Sequence, residues 1–341
     1  MIYFDSDYMA GGHPAVMEAL MRTNLEHTPG YGNDSYCAAA RELILGLCGI
    51  DRGEAFFFEG GTQANCTIID ALLRNYQGVL CADTGHINVH EAGAVEAWGH
   101  KVIALPGHDG RLEASDVARY IDSFYADDSH DAMVAPGAVY ISFPTELGTI
   151  YNRRQLEALY KVCSDRNVPL FIDGARLAYG LNAEGCDVTL RDIAALSDVF
   201  YIGGTKCGAL FGEAMVTRRP ELFPHFRTLI KRHGAMLAKG RLLGLQFSTL
   251  LSGGLYDQIG RHAVALALEM KRGFVAKGHQ LYIDSPSNQQ FFLLPNALID
   301  RLRPHFSFEL WGPRQPEKSP VRFVTDWTTT PSAISTLLSA L

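Results

Sequence analysis

A short apolar run that ends at two glycines and a lysine lies at residues 199–209, which read VFYIGGTKCGA. Continuous apolar runs of this kind are typical of buried strands, and glycines let the backbone pass close to a bound group. Most lysines are solvated surface charges. Lys206 differs because its neighbours are apolar or very small on both sides, and a desolvated lysine becomes a nucleophile toward an aldehyde.

A second predicted strand end carries a carboxylate at residues 170–176, LFIDGAR. Taken alone, Asp173 is read equally well as a helix cap or turn residue. The alternative is a buried carboxylate paired with a cationic ring nitrogen, because ion pairing in a low dielectric favours the charged form. Together with Lys206, this arrangement favours pyridoxal 5′-phosphate (PLP), whose protonated ring serves as an electron sink.

Two further motifs fit the same interpretation. The segment 59–65, EGGTQAN, lies between a predicted strand and a predicted helix. Small residues at a helix start expose backbone N–H groups that suit a phosphate, although many strand-to-helix turns have this composition. His86 follows CADTG just before another predicted helix. A lone histidine is usually a cap, but beside a PLP lysine it is predicted to stack on the pyridine ring.

Strand-like and helix-like segments alternate from about residue 36 to residue 217. This alternation predicts an α/β fold with a mostly parallel sheet sandwiched by helices, in which ligands bind at the carboxyl ends of the strands. The predicted strands are 55–58, 79–82, 101–105, 138–143, 170–172, 198–202 and 214–217. The predicted helices are 38–48, 62–76, 87–97 and 153–167.

The pattern changes after Pro220 and predicts a smaller α+β domain. Long helices are expected at 220–252 and 255–277, short strands at 291–294, 306–310 and 321–324, an exposed loop at 312–320 and a last helix from about Pro331. The predicted division is an N-terminal segment 1–15 that contributes to the active site, a PLP-binding domain 16–249 and a C-terminal domain 250–341.

Composition excludes several classes of protein. The 341 residues are 47% hydrophobic and 20% charged, which suffices for a large core without disulfides or metals. The net charge of -7 argues against a nucleic-acid binder. No apolar run approaches the roughly 20 residues of a membrane span, and the first residues do not resemble a signal peptide. Seven scattered cysteines without a CxxC favour reduced thiols and a cytoplasmic protein.

Over essentially the whole chain, the sequence resembles the threonine aldolase family. That family lies in the beta-eliminating lyase group of fold-type-I PLP enzymes, within the aspartate aminotransferase superfamily. The motifs that carry the resemblance are SDY at 6–8, GYGND at 30–34, GGTQAN at 60–65, TGHINVHEAGA at 84–94, TELGT at 145–149, FIDGAR at 171–176, YIGGTK at 201–206, LFGEA at 210–214 and RFVTDW at 322–327.

The resemblance implies a role for each matching residue. Lys206 is expected to hold PLP as a Schiff base, Asp173 to pair with the ring nitrogen, and His86 to stack on the ring. Phosphate binding is implied for Gly61 and Thr62. The resemblance implies that Ser6, Arg176 and Arg322 bind the substrate carboxylate. It also implies that Arg176 contacts the cofactor. Arginine suits carboxylates because its planar fork engages both oxygens.

Two other matching residues imply an oligomer. Tyr31 matches a residue that reaches the active site from a neighbouring subunit. Lys239 stands about where relatives place a basic residue that completes the partner's phosphate site. The resemblance therefore implies a homodimer or homotetramer with shared active sites.

The sequence departs from the family at one catalytic position. Many threonine aldolases have Glu-Asn-Thr-His-Asn after the strand that corresponds to 138–143, whereas residues 142–146 here read SFPTE. Glu146 replaces the loop histidine, so the base that accepts the hydroxyl proton is expected to be His86, Glu146 or a water that they hold. Glu146 is equally well read as a structural partner of an arginine.

The implied activity is cleavage of L-threonine, L-allo-threonine or a similar β-hydroxy amino acid to glycine and an aldehyde. The nearest alternative is a PLP-dependent β-eliminating lyase that acts on another amino acid. A non-catalytic ligand-binding α/β protein is a more distant alternative, since such a protein has little need of a lysine among glycines. His86 and His90 are spaced i, i+4, but no HExxH motif accompanies them and no metal site is predicted.

Overall fold

The computed structural model describes residues 1–341, with thirteen strands. They are β1 (Ile2–Tyr3), β2 (Glu54–Phe58), β3 (Gln77–Ala82), β4 (Lys101–Leu105), β5 (Ala135–Ser142), β6 (Leu170–Asp173), β7 (Val199–Gly203), β8 (Glu213–Thr217), β9 (Gln280–Ile283), β10 (Gln289–Pro295), β11 (Phe306–Ser307), β12 (Glu309–Leu310) and β13 (Lys318–Val324).

Thirteen α-helices accompany the strands. They are α1 (Pro14–Arg22), α2 (Ser35–Cys48), α3 (Gly61–Leu72), α4 (His86–Val89), α5 (Ala114–Ala126), α6 (Arg153–Asp165), α7 (Leu177–Leu181), α8 (Leu190–Ala195), α9 (Phe226–Arg232), α10 (Arg241–Leu251), α11 (Leu255–Ala276), α12 (Asn296–Leu302) and α13 (Pro331–Ala340). None of these helices is both long enough and apolar enough to cross a membrane.

A seven-stranded sheet in the order β2-β8-β7-β6-β5-β3-β4 forms the centre of the molecule. Its strands are parallel except for β8, which runs antiparallel to both neighbours. Successive residues of each strand face opposite sides of a sheet. Accordingly, Val139 and Ile141 of β5 enter the larger buried cluster, and Ala138 and Tyr140 enter a second cluster on the other face. The predicted mostly parallel α/β sheet is confirmed.

A smaller antiparallel sheet in the order β12-β13-β10-β9 follows in the C-terminal part, as predicted for an α+β unit. The N-terminus belongs structurally to this part of the chain, because β1 pairs with β11 and Phe4 is buried in its apolar cluster. After Phe4 the chain returns to the large sheet, where α1 packs against α10. The domain boundaries at residues 15 and 249 remain predictions.

Three local predictions were wrong. The helix expected at 87–97 is broken into α4 and a 3₁₀ turn, because Ala92 and Gly93 both adopt positive φ angles. The helix expected at 220–252 is divided into a 3₁₀ turn, α9 and α10, with a break at Gly234, whose φ is 71°. The loop expected at 312–320 ends early, since Lys318 already begins β13.

Candidate active site

Lys206 lies in the turn that follows β7, and its side chain lies in a cavity at the carboxyl edge of the large sheet. The turn requires glycine, because a Cβ atom at Gly203 would lie 2.3 Å from the carbonyl oxygen of Ala175. Two tyrosines fix its backbone: Tyr179 donates to the Lys206 carbonyl at 2.5 Å, and Tyr256 donates to the Gly203 carbonyl at 2.8 Å.

The Lys206 amine forms no hydrogen bond or ion pair within the chain, although the residue is only partly exposed. Burial and the nearby Arg176 guanidinium lower the pKa of Lys206, and the surrounding carboxylates offset this only in part. A lysine with a lowered pKa has a larger neutral fraction at pH 7 and is therefore a better nucleophile. This environment supports the nucleophilic role predicted from the sequence.

Asp173 ends β6 and is a register partner of Ser142 on β5, so both side chains lie at the same edge as Lys206. Its Oδ2 atom accepts hydrogen bonds from the Tyr140 hydroxyl at 2.6 Å and from Asn65 Nδ2 at 3.0 Å. Burial alone would raise the pKa of Asp173, but His86 and the tyrosine hydrogen bond outweigh it and hold the pKa below its usual range. The carboxylate is therefore charged at neutral pH.

His86 begins α4 and is connected to Asp173 through two polar side chains. Its Nδ1 atom lies 2.8 Å from Glu91 Oε1, and the Asn65 amide donates to that same oxygen at 2.8 Å while also reaching Asp173. This network holds the imidazole ring against rotation. The partners of His86 were not predicted, although Asn65 and Glu91 both fall within motifs that carry the family resemblance.

Glu146 lies in the loop after β5, directly beside His86. Its Oε1 atom accepts the His86 backbone N–H at 3.0 Å and the Ser142 hydroxyl at 2.6 Å. Burial raises the pKa of this carboxyl group, and the Ser142 hydrogen bond opposes that change without cancelling it. Glu146 forms no hydrogen bond or ion pair with an arginine, so the alternative role predicted for it is not the one found in the structure.

The two arginines expected to hold a substrate carboxylate both line the cavity, and both have carboxylate partners within the chain. Arg176 donates from Nε and Nη2 to the two oxygens of Asp7, at 2.7 and 3.0 Å. Arg322 donates to Gln289 at 3.0 Å and is paired with Glu309. Burial lowers the pKa of Arg322, and repulsion from Arg176 adds to the effect.

Of the remaining predicted site residues, only one lines the cavity. Gly61 lines the cavity, whereas Thr62 is exposed and Ser6 is buried beside Asp7 without lining the cavity. Tyr31 and Lys239 also lie away from the cavity of their own chain but close to one another, since the Tyr31 N–H donates to the carbonyl of Ala238 at 3.0 Å.

The cavity widens outward from Lys206. A narrow inner part is lined by Gly61, Asn65, His86, Glu91, Ser142, Pro144, Thr145, Glu146, Asp173, Ala175, Arg176, Tyr201 and Lys206. It shares four of these residues with an outer cavity of about 280 Å³, which is lined by Tyr8, His86, His90, Glu146, Arg176, Lys206, Glu309, Trp311 and Arg322. A small charged molecule can therefore reach Lys206 from solvent.

The family model described as beta-eliminating lyase matches residues 4–281. The chain belongs to the beta-eliminating lyase family. The resemblance predicted from the sequence is thereby confirmed, and PLP is the cofactor of this fold-type-I group.

Two further comparisons agree with membership of the beta-eliminating lyase family. The chain is 39% identical to a Leishmania major threonine aldolase of known structure, with a TM-score of 0.96 over 99% of this chain and 98% of that chain. It is 29% identical over 304 residues to a low specificity L-threonine aldolase of Pseudomonas sp., covering 88% of this chain and 86% of that relative. A Thermus thermophilus aspartate aminotransferase, 14% identical with a TM-score of 0.73 over 100% of this chain and 90% of that chain, shares the fold.

The residues that line the cavity fit PLP, the cofactor of this family. Lys206 supplies an unpaired amine for the aldehyde, and Asp173 supplies a charged carboxylate for the ring nitrogen. No side chain caps α3, so its first-turn N–H groups are free to bind a phosphate. A Cβ atom at Gly61 would lie 3.3 Å from the Tyr201 hydroxyl, so glycine keeps this end of the cavity open.

Proposed function

We propose that this protein is a PLP-dependent carbon–carbon lyase that cleaves L-threonine, L-allo-threonine or similar β-hydroxy amino acids to glycine and an aldehyde. One observation carries the proposal: Lys206 and Asp173, at neighbouring strand ends, line a cavity that also contains two buried guanidinium groups. The names of the Pseudomonas and Leishmania relatives support the choice of threonine as the substrate.

In the proposed reaction, the Lys206 amine would hold the cofactor through its aldehyde group until the substrate binds. Arg176 and Arg322, which both line the cavity, would bind the substrate carboxylate and so orient the Cα–Cβ bond for cleavage. PLP, when bound, supplies an electron sink for the pair that this bond releases. Asp173 would keep the ring nitrogen protonated through its negative charge, and His86 would hold the ring in place from one side.

The phosphate is proposed to bind at the first turn of α3, through Gly61 and Thr62. Tyr31 and Lys239 are proposed to complete the corresponding site of a neighbouring subunit in a homodimer or homotetramer. Their contact through Ala238, and their distance from the cavity of their own chain, support this arrangement. A cytoplasmic location belongs to the same proposal; it is supported by seven free thiols, since disulfides form in oxidising compartments.

A β-elimination is the second candidate reaction. The description of the matching family model favours it, and so does the presence of Glu146 in place of a loop histidine. Elimination would break the Cα–H bond and expel a leaving group from Cβ, which gives pyruvate and ammonia from a serine-like substrate.

The test is a visible absorption spectrum of the purified protein before and after addition of L-threonine, with coupled detection of acetaldehyde. We expect a yellow protein whose band shifts with substrate and which releases acetaldehyde. A yellow protein that releases pyruvate and ammonia from other amino acids, and no acetaldehyde, would establish elimination instead. A colourless protein that PLP does not restore would overturn the proposal.

Replacement of the cofactor lysine tests the central assignment directly. Lys206→Ala removes the only amine in the cavity, so we expect loss of the lysine-bound cofactor band and of all measurable turnover. Lys277→Ala is the matched control, because Lys277 is exposed at the end of α11. Full turnover by the Lys206→Ala protein would contradict the assignment.

A further inference from the structure

His90 is a second histidine at the active-site cavity. It directly follows α4, and its backbone N–H donates to the carbonyl of His86 at 2.9 Å. This single helical turn places both imidazoles on the outer cavity, with ring centroids 5.7 Å apart. On its other side, the His90 ring lies 6.2 Å from the centroid of Trp311.

The two imidazoles differ in how they are bonded. Nδ1 of His86 is held by Glu91 at 2.8 Å, whereas neither ring nitrogen of His90 has a hydrogen-bond partner in the chain. His90 is also the more exposed of the two. A free ring nitrogen at the rim of a substrate cavity is available to a substrate hydroxyl.

The surroundings of His90 keep its ring neutral. Partial burial lowers the pKa of His90, and the neighbouring His86, Arg322 and Arg176 lower it further. Glu309 acts in the opposite direction and only partly offsets them. Tyr8, Glu146 and Lys206 line the same cavity. A neutral imidazole retains a lone pair at pH 7 and can therefore accept a proton.

The other candidates for the hydroxyl proton are less suited to accept it. Glu146 already accepts two hydrogen bonds at Oε1, from the His86 backbone N–H and the Ser142 hydroxyl, and these tie its carboxyl group to the protein. The proposed position of His86 over the cofactor ring assigns that imidazole to stacking.

We propose that His90 is the general base that accepts the β-hydroxyl proton of the substrate; this assignment rests on the proposed function. The proton moves from the hydroxyl oxygen to a ring nitrogen of His90. The O–H electron pair becomes the second bond of the aldehyde C=O group, and the Cα–Cβ pair remains on Cα. A proton returned to Cα completes glycine, and His90 gives up its own proton to solvent at the rim.

The test compares two reactions of the same holoenzyme. Cleavage of L-threonine needs a base at the β-hydroxyl, whereas exchange of the glycine α-proton with deuterated solvent does not. For His90→Gln we expect kcat for threonine to fall about 100-fold, the usual contribution of a general base, with KM and the cofactor absorption band unchanged. Glycine exchange, followed by NMR, should stay within about twofold of the parent enzyme.

Two further measurements separate a base from a structural residue. In the parent enzyme, kcat/KM should decline as the pH falls through the pKa of His90, below the usual histidine value near 6.5, and His90→Gln should lose this decline. Free imidazole should restore part of the activity of His90→Ala. His305→Gln, at an exposed histidine whose side chain forms no hydrogen bond, is the matched control.

The outcomes distinguish this proposal from the one on which it rests. Undiminished threonine cleavage by His90→Gln would overturn the assignment of His90, and so would an equal loss of cleavage and glycine exchange. A parent enzyme that exchanges glycine but never releases acetaldehyde would instead overturn the proposed aldolase function, and the assignment of His90 with it.

Discussion

Asp173 is a fully buried carboxylate that the chain keeps ionised. Its two oxygens accept hydrogen bonds from Tyr140, Asn65 and the backbone N–H of Ala175, the last at 2.9 Å. Donors that bind the charged form lower the pKa, and here they and His86 outweigh the effect of burial. A permanently negative group therefore faces the position proposed for the ring nitrogen.

Asp173→Asn removes the charge while keeping the size of the side chain. We expect kcat to fall on the order of 100-fold, comparable to the loss of one electrostatic contact in other active sites, together with a changed cofactor spectrum. The new amide would also face the Asn65 amide, so a loss of about 1–3 kcal/mol of stability is expected and should be measured by thermal unfolding.

Tyr140→Phe is the matched control for this change, because it removes one hydrogen bond and leaves the charge in place. It should reduce kcat far less than Asp173→Asn does. Equal effects of the two substitutions would show that the hydrogen-bond network matters and the charge does not.

Pairs of strands bring together residues that local sequence leaves far apart. Parallel pairing of β5, β6 and β7 collects Ser142, Asp173 and the Lys206 turn at one edge of the sheet. In the antiparallel pair β12–β13, Glu309 is the register partner of Arg322, and the two side chains form an ion pair at the cavity wall. The substrate carboxylate must therefore share Arg322 with a carboxylate of the chain itself.

Glu309→Gln tests this competition. Removing the internal carboxylate should free Arg322, so KM for threonine should fall about threefold with kcat unchanged. The effect is small because the Glu309 side chain is 42% exposed, and such pairs contribute only about 0.2–1 kcal/mol. Steady-state kinetics decide the matter, with Glu317→Gln, an exposed glutamate in the same region, as the control. A higher KM would mean that Glu309 orients Arg322 instead of competing for it.

Several apolar side chains between residues 9 and 31 are exposed to solvent. Met9, Met21 and Leu25 expose 52%, 72% and 89% of their surface, and Tyr31 lies in the same region of the sequence. Apolar side chains that stay exposed in one copy of a chain become buried where a second copy covers them. They support the proposal that a second copy of the chain covers this region and that Tyr31 enters its active site.

Mixed oligomers test the sharing of sites. Lys206→Ala and Tyr31→Ala proteins should each be impaired alone. In a mixed dimer, one site would combine Lys206 from one chain with Tyr31 from the other, so random mixing by co-expression should restore about a quarter of the parent activity. If Tyr31 served the site of its own chain, the mixture would gain nothing over its components.

The fold class and the strand-end positions of Lys206 and Asp173 could be predicted from residue patterns in the sequence, and the family and its cofactor from the resemblance of its motifs. The fold class and the two positions follow from local patterns: apolar runs predict strands, and a glycine, carboxylate or lysine directly after a strand must lie at its carboxyl end. Asn65, Glu91 and Glu213 lie within the family motifs, but the sequence alone does not indicate what these three side chains do. Glu213 is buried near Lys206, and burial raises its pKa to about 8.

Which side chains meet depends on the three-dimensional fold. Asp7 and Arg176 are separated by 169 positions in the chain, and Asn65 and Asp173 by 108, so no local pattern could pair them. The helix predicted at 87–97 does not continue beyond α4, because Ala92 and Gly93 adopt positive φ angles, and His90 at the end of α4 lies beside Trp311. Strand order and loop conformation set such contacts, because burial and hydrogen bonding are satisfied by the whole fold rather than by neighbouring residues.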